Sequence, residues 1–299
     1  GKTKVLTSRI AYLLEKGVPA YKILAITFTN KAAGEMRHRV ANIVGETVAK
    51  DIWIHTFHAF CSRFLRIEVN NIAGYSPNFA IYDSSDSLNI IKTCLKELNL
   101  DDKKFSPYSV SSTISKAKNN LMDAARFEKQ ATGFFEEKIA AIYTLYESKL
   151  LANNALDFDD LLLVTVKTLS VNPEVLKKYQ TKFNYILIDE YQDTNKVQYL
   201  LAQMLSETHK NICVVGDADQ SIYGWRGADM QNILDFEKDY PTCATILLDK
   251  NYRSSKNILD AANAVIQNND LRKEKNLWTD NDPGAKITYY RAHEETEEV

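Results

Sequence analysis

Four short, unbroken apolar runs restrict the folds open to this chain more than any other feature. They are residues 23–28 (ILAITF), 185–189 (YILID), 212–216 (ICVVG) and 245–248 (TILL). A strand with one wet face alternates apolar and polar residues, whereas a strand covered on both faces does not. Continuous runs of this length therefore predict buried parallel strands, with residues 52–54 as a shorter candidate. Each run leads into polar residues and then a helix-period pattern, the signature of an α/β sheet with crossover helices. Between residues 70 and 173 that alternation stops. Leu88, Ile91, Leu95 and Leu98 there fall at helical spacing in a Lys/Glu-rich context, which predicts a helical subdomain inserted into the α/β domain.

The length of 299 residues accommodates about two domains. A net charge of −2 provides no global basic field, so a nucleic-acid partner would have to be held by a local patch. Cys61, Cys94, Cys213 and Cys243 are widely spaced and form no CxxC pair, which argues against a zinc site or disulfide framework. Neither a signal peptide nor a bilayer-length apolar run is present. The expectation is a cytoplasmic protein with no membrane partner. The sequence opens GKTKVLTSRIAYLLEKG without a methionine and at the mouth of a helix, so it reads as a piece of a longer protein.

Gly1-Lys2-Thr3 followed at once by a helix matches the end of the P-loop, GxxxxGK[ST]. In that loop backbone N–H groups cradle phosphates, the lysine reaches the β/γ-phosphates and the hydroxyl binds Mg²⁺. The tripeptide alone is weak, and a plain terminal GKT is the competing reading. Ile186-Leu187-Ile188-Asp189-Glu190 adds an apolar strand ending in two adjacent carboxylates. Asp189 at such a strand end could hold Mg²⁺, and Glu190 could take a proton from the attacking water. A surface Asp-Glu pair is the alternative. Gln220 ends GDADQ directly after another apolar run, where a neutral carboxamide can orient water beside a γ-phosphate. Arg253 lies between a strand candidate and a helix start. An arginine finger and an ordinary loop arginine paired with an acid are equally open readings.

Further motifs occur in order: TFTNKAAGEM at 27–36, IHTFHAF at 54–60, LDFDDLL at 156–162, LIDEYQDTN at 187–195, VVGDADQSIYGWRGAD at 214–229 and LLDKNYRSS at 247–255. With GKT they make the chain resemble, over essentially its whole length, the UvrD/Rep/PcrA family of superfamily 1 DNA helicases, nearest its PcrA-like branch. The resemblance implies a RecA-like P-loop motor domain of α/β class at 1–69 with 174–243, a helical insertion at 70–173, and the start of a second RecA-like domain at 244–299. It implies an ATP-dependent 3′–5′ DNA helicase, a DNA-dependent ATPase acting in repair and replication, with ATP and Mg²⁺ as cofactors. Its substrates would be single-stranded DNA and single-/double-strand junctions, and its partners repair, replication or transcription proteins. Carried over by motif, Gly1, Lys2 and Thr3 bind phosphate, with Thr3 and Asp189 on the metal. Glu190 is the base, Gln220 senses the γ-phosphate, Tyr252 stacks on adenine and Arg253 is one of two fingers. The family's upstream glutamine motif, the first half of its P-loop and its later motifs have no counterpart in these residues. The activity is therefore the one expected of the whole protein, with the piece alone expected to be inactive.

Single-stranded nucleic acid is held by aromatic faces that stack on bases and cations that follow the phosphates. The resemblance implies that Phe28, Tyr223, Trp225 and Phe158 line such a track, with Arg226 on phosphate. Tyr223, Trp225 and Arg226 lie in a glycine-flanked loop where core burial is disfavoured, while a core role competes for Phe28. Thr29, Asn30 and Lys31 open the next helix and offer a phosphate perch. Phe57, Phe60, Cys61, Phe64 and Leu65 fall on one helical stripe and predict core, leaving Thr56 and His58 as the DNA-contact candidates of that motif. Asp157, Asp159 and Asp160 fit no calcium loop, so capping and salt bridges are their expected roles. Other functions remain in competition: the helicase subunit of a helicase–nuclease, a non-translocating ATP switch that binds DNA, and a small-molecule P-loop kinase. The kinase reading leaves the Tyr-Gly-Trp-Arg loop unexplained.

Overall fold

The structure, a computed structural model, describes residues 1–269 and 275–294, with the side chain of Arg226 outside the described set. Four of the apolar segments form one parallel sheet: β1 (Ile23–Thr27), β2 (Trp53–Thr56), β5 (Tyr185–Ile188) and β6 (Ile212–Val214), in the order β2-β1-β5-β6. Leu24 pairs with Trp53 on one side and Ile186 on the other, and Ile188 pairs with Val214. Every residue of β1 is buried, as continuous apolar character requires.

Successive side chains point to opposite faces, and the two faces fill different cores. Leu24, Ile26, Ile186 and Ile188 meet the stripe Phe57, Phe60, Cys61, Phe64 and Leu65 of the helix Phe57–Ile67, together with Leu161, Leu162 and Val166 of the helix Phe158–Val171. Ile23, Ala25 and Leu187 meet Leu6, Ile10 and Leu13 of the helix Lys2–Glu15, and Met36 and Val40 of the helix Asn30–Val44. Gly17 terminates the first helix in the left-handed region (φ 85°), donating to Leu14 O while Val18 donates to Leu13 O. This double bond closes the helix end, and glycine takes the conformation without a Cβ penalty.

A third core lies within residues 70–173, where the helices Ser84–Glu97, Pro107–Asn119 and Phe134–Ala152 enclose Ile91, Ile114, Ile142, Tyr143 and Leu150. Two elements there escape the all-helical expectation. Residues β3 (Ala80–Tyr82) and β4 (Ala155–Asp157) form a two-stranded parallel pair in which Ile81 faces Leu156. Three residues are too few to display a strand period, so only the pairing reveals them.

The expectation of a strand at 245–248 is corrected. That segment has no ladder, and Ile246 is 80% exposed. A strand exists only beside another backbone, and the described residues provide none there. The nearest pairing is a single bridge between Lys250 and Trp278. Among the described residues no helix is long and apolar enough to cross a membrane.

Candidate nucleotide site and nucleic-acid interface

All four strands of the main sheet run parallel, so their C-terminal ends share one edge, the usual place for ligands in such sheets. The ladder extends one step beyond the strands there: Asp189 N–H donates to Ile26 O at 2.9 Å and Val215 N–H to Ile188 O at 2.9 Å. Asp189 and Glu190 are thereby fixed at the edge. Glu190 takes a left-handed conformation (φ 49°), unusual for a residue with a Cβ, which turns the chain sharply into the segment Tyr191–Asp193.

Facing them is the N-terminus of the helix Lys2–Glu15, with Gly1 as its cap residue. The Lys2 ammonium lies 2.6 Å from Glu190 Oε2 and donates to Gln220 Oε1 at 3.4 Å. The Thr3 hydroxyl donates to Asp189 Oδ2 at 3.1 Å. Five sequence-selected residues from three distant segments thus converge: Lys2, Thr3, Asp189, Glu190 and Gln220. Burial first, and the neighbouring Glu190 second, hold the Asp189 carboxyl above the usual carboxylate range. A buried carboxylate beside a hydroxyl is an oxygen-only donor pair. It suits Mg²⁺, which takes one or two protein ligands and completes its shell with water and phosphate oxygens. The residues present therefore fit the metal and the phosphates that the motifs imply.

Gln192 was not singled out from sequence, yet it connects the site. Only 2% exposed, it donates from Nε2 to Glu190 Oε2 and to Asp193 Oδ2, both at 3.1 Å, while its Oε1 accepts the Asp217 N–H at 3.0 Å. Gly216 makes room for it, since a Cβ there would stand 2.7 Å from Gln192 Oε1. Gln220 donates to Asp217 Oδ2 at 2.7 Å, and Lys275 pairs with Asp217 and, at 3.1 Å, with Asp219. The one signal for Gln192 was its position two residues beyond the carboxylate pair.

Arg253 and Tyr252 are not brought to this cluster. Both side chains are exposed, and no hydrogen bond or ion pair among the described residues engages the Arg253 guanidinium. The Arg253 N–H donates to Asn251 Oδ1 at 2.8 Å, and Lys250 sits over the Tyr252 ring at 5.4 Å.

The aromatic candidates gather at the same sheet edge. Phe28, half-buried, stacks on Tyr223 with ring centroids 5.4 Å apart and planes at 25°. Tyr223 in turn lies 6.5 Å from Trp225, which is 75% exposed. The loop holding them closes at Gly227 with φ 84°. Phe158, 51% exposed, meets the His58 ring edge-on at 5.6 Å. Burial pushes the His58 imidazole below its usual value. Thr29 caps the helix Asn30–Val44 by accepting the Ala32 N–H at 3.1 Å, and Asn30 and Lys31 stand exposed on its first turn. Thr56 is buried, and its hydroxyl accepts the Ala59 N–H at 3.2 Å as a helix cap. The side chain of Arg226 lies outside the described residues. Arg37 donates to Ile54 O at 2.7 Å and ties its helix to β2.

Comparison with known proteins bears on this arrangement. Residues 1–241 match the model of the UvrD/REP helicase N-terminal domain, and residues 246–299 that of the UvrD-like helicase C-terminal domain. The chain is 57% identical over 296 residues to the ATP-dependent DNA helicase PcrA of Bacillus subtilis strain 168, covering 99% of this chain and 40% of that protein. It is 54% identical over 300 residues to the protein of the same name from Staphylococcus aureus strain Mu50, covering 100% of this chain and 41% of that protein. The chain thus spans about two-fifths of the length of the curated relatives it matches. With a RecA-like α/β sheet, GKT facing a strand-end carboxylate pair, and family models matching residues 1–241 and 246–299, the chain belongs to the UvrD/REP helicase family.

Proposed function

We propose that this chain is part of an ATP-dependent DNA motor that translocates 3′ to 5′ on single strands and unwinds DNA at single-/double-strand junctions in repair and replication. The observation that carries the reading is one loop with two contacts. Gln220 meets Lys2 at 3.4 Å at its start, and Tyr223 stacks on Phe28 at 5.4 Å three residues later. A shift at one end of so short a segment must be felt at the other. The polarity and the biological role rest on the family resemblance, and the use of ATP and DNA is supported by the printed names of the relatives. The same resemblance supports the division into a motor domain at 1–69 with 174–243, an insertion at 70–173, and a second motor domain from 244.

In this reading Lys2 neutralises Glu190 until triphosphate arrives, because the phosphate oxygens compete for the same ammonium. Glu190 is then released to accept a proton from water, with Gln192 still holding its Oε2 in place. Gln220 orients that water without adding negative charge. Thr3 and Asp189 would hold Mg²⁺, which would supply charge neutralisation at the phosphates. Tyr252 stacks on adenine, and Arg253, exposed and unengaged among the described residues, reaches the phosphates when the second domain closes. Phe28, Tyr223, Trp225 and Phe158 stack on bases, while Lys31, Arg226 and the helix start at Thr29 and Asn30 follow the phosphates, with Thr56 and His58 beside them.

ATPase activity of the full-length protein, measured with and without single-stranded DNA, tests this. Strong stimulation is expected, with Glu190→Gln lowering the stimulated kcat by about a hundredfold or more while ATP still binds. An ATPase indifferent to DNA would overturn the motor reading in favour of a nucleotide switch.

A further inference from the structure

Outside the motifs, one carboxamide bonds to two distant segments of the molecule and lies beside a third. Asn119 ends the helix Pro107–Asn119 of the insertion. Its Nδ2 donates to Asp159 Oδ1 at 2.9 Å and to Ser115 O of its own helix at 2.9 Å. Its Oδ1 accepts from Asn195 Nδ2 at 2.5 Å. Asp159 immediately follows Phe158, on the first turn of the helix that presents that ring. Asn195 closes the polar run that begins at Asp189, and it caps the helix Lys196–Ser206 by accepting the Gln198 N–H at 2.9 Å.

The third segment is the aromatic loop. Gly227 lies over the Asn119–Asn195 pair, so that a Cβ there would stand 3.9 Å from Asn119 Cβ and 4.0 Å from Asn195 Cβ. Beside it the Thr194 carbonyl accepts the Asp229 N–H and the Asn232 side-chain amide, both at 2.9 Å. The loop bearing Tyr223 and Trp225 is therefore fastened to the same short stretch, Thr194-Asn195, that Asn119 grips from the insertion.

We propose that Asn119 is a positioning residue. It sets the spacing between Phe158 on the insertion and Tyr223 and Trp225 on the motor domain, and it links that spacing to the strand end bearing Asp189 and Glu190. This deepens the motor reading and rests on it. The chemistry explains the residue type. Asn119 must donate to a carboxylate on one side and accept from an amide on the other, and asparagine has both groups on one short planar end. Aspartate would keep the acceptor but set a second carboxylate against Asp159. Alanine would remove both bonds and leave Asn195 Nδ2 and Asp159 Oδ1 without these partners.

The test uses the full-length protein and four forms: wild type, Asn119→Ala, Asn119→Asp, and Asn119→Asp combined with Asp159→Asn. The double variant rebuilds the bridge with donor and acceptor exchanged. The amide introduced at position 159 would donate to the carboxylate introduced at position 119, and that carboxylate would still accept from Asn195. Three quantities are read: ATPase without DNA, the single-stranded DNA concentration giving half-maximal stimulation, and ATP consumed per nucleotide travelled. Both single variants should leave the DNA-free rate unchanged and raise the half-maximal DNA concentration roughly tenfold, the size expected for lost hydrogen bonds in a partly buried bridge. ATP consumed per nucleotide should also rise. The double variant should return both to within about threefold of wild type. A merely structural role would lower the DNA-free rate together with the melting temperature and would not be rescued by the exchange. Wild-type values in Asn119→Ala, or a folded double variant that stays as uncoupled as the singles, would overturn the proposal. A wild type that DNA does not stimulate would overturn the motor reading and this proposal with it, so the two failures are separable.

Discussion

Asp189 and Glu190 place two carboxyl groups side by side at the end of a buried strand, and one of them is held in an unfavourable state. Burial, and then Glu190, keep the Asp189 carboxyl above its ordinary range. The folded protein therefore binds that proton more tightly than the unfolded chain does. The stability this contributes is complete below the unfolded value and is lost as pH rises through the folded one. Asp189→Asn removes the charge without changing the shape. The nucleotide-free variant should melt higher than wild type, by a margin that widens as pH rises above the ordinary carboxylate range of about 4, while Mg²⁺-dependent hydrolysis collapses. Equal melting temperatures as pH rises above that range would refute the argument. The convergence of Lys2, Thr3, Asp189, Glu190 and Gln220 was legible in the sequence because a strand-end carboxylate and a helix-opening GKT have one mutual placement in a parallel sheet. Gln192 was not, because a glutamine's partners depend on where a loop folds back, here Asp217 from 25 residues downstream. Arg253 stays apart from that cluster, its side chain exposed and only its backbone N–H engaged, by Asn251.

At the scale of elements, the LDFDDLL motif shows how a helix start can join two cores. Asp157 caps the helix Phe158–Val171 in a reciprocal box with Asp160, so the expectation of capping and ion pairing describes what forms. The extent of the pairing was not legible. Lys118, from the helix Pro107–Asn119, is completely buried among Asp157 at 2.7 Å, Asp160 at 2.6 Å and Glu147 at 2.7 Å, with Tyr146 donating to Asp157 at 2.9 Å. Burial and the adjacent Asp157 raise the Asp160 carboxyl well above its ordinary range, whereas Lys118 and its hydrogen bond keep Asp157 below it despite burial. One ammonium thus holds Asp157 ionised, and Lys118→Met would strand that charge. The expected loss is about 3–5 kcal/mol in urea unfolding, the range for removing one partner of a buried pair. A loss below about 1 kcal/mol would mean that water reaches the cluster. Strands were legible to the degree that their neighbours made them continuous and apolar. The runs at 23–28, 185–189 and 212–216 gave β1, β5 and β6, whereas β3 and β4 are too short to carry a pattern. The run at 245–248 had the pattern without a partner, and a strand is a property of the pair.

Over these 299 residues taken together, a net charge of −2 limits how they can hold a polyanion. Long-range attraction is weak, so in the proposed motor, affinity for single strands would have to come from a few local cations and from stacking, and the two respond differently to salt. Each phosphate neutralised contributes roughly 0.7 to the slope of log K against log salt on single strands, while a stacked base contributes affinity with no such slope. Trp225 is 75% exposed beside the Phe28–Tyr223 stack, and Lys31 stands exposed on the first turn of its helix. Trp225→Ala should weaken single-strand binding by about 1–3 kcal/mol at every salt concentration and leave the slope as it was. Lys31→Ala should cost less at high salt than at low salt and should lower the slope by roughly 0.7. Binding isotherms on an unstructured oligonucleotide across a salt series separate the two. If Trp225→Ala changed the slope, the ring would be acting by holding a cation in place, and the track would be mainly electrostatic. If it changed neither slope nor affinity, the exposed aromatic row at the sheet edge would not be the DNA surface, and the loop that joins Gln220 to Tyr223 would have no base to move.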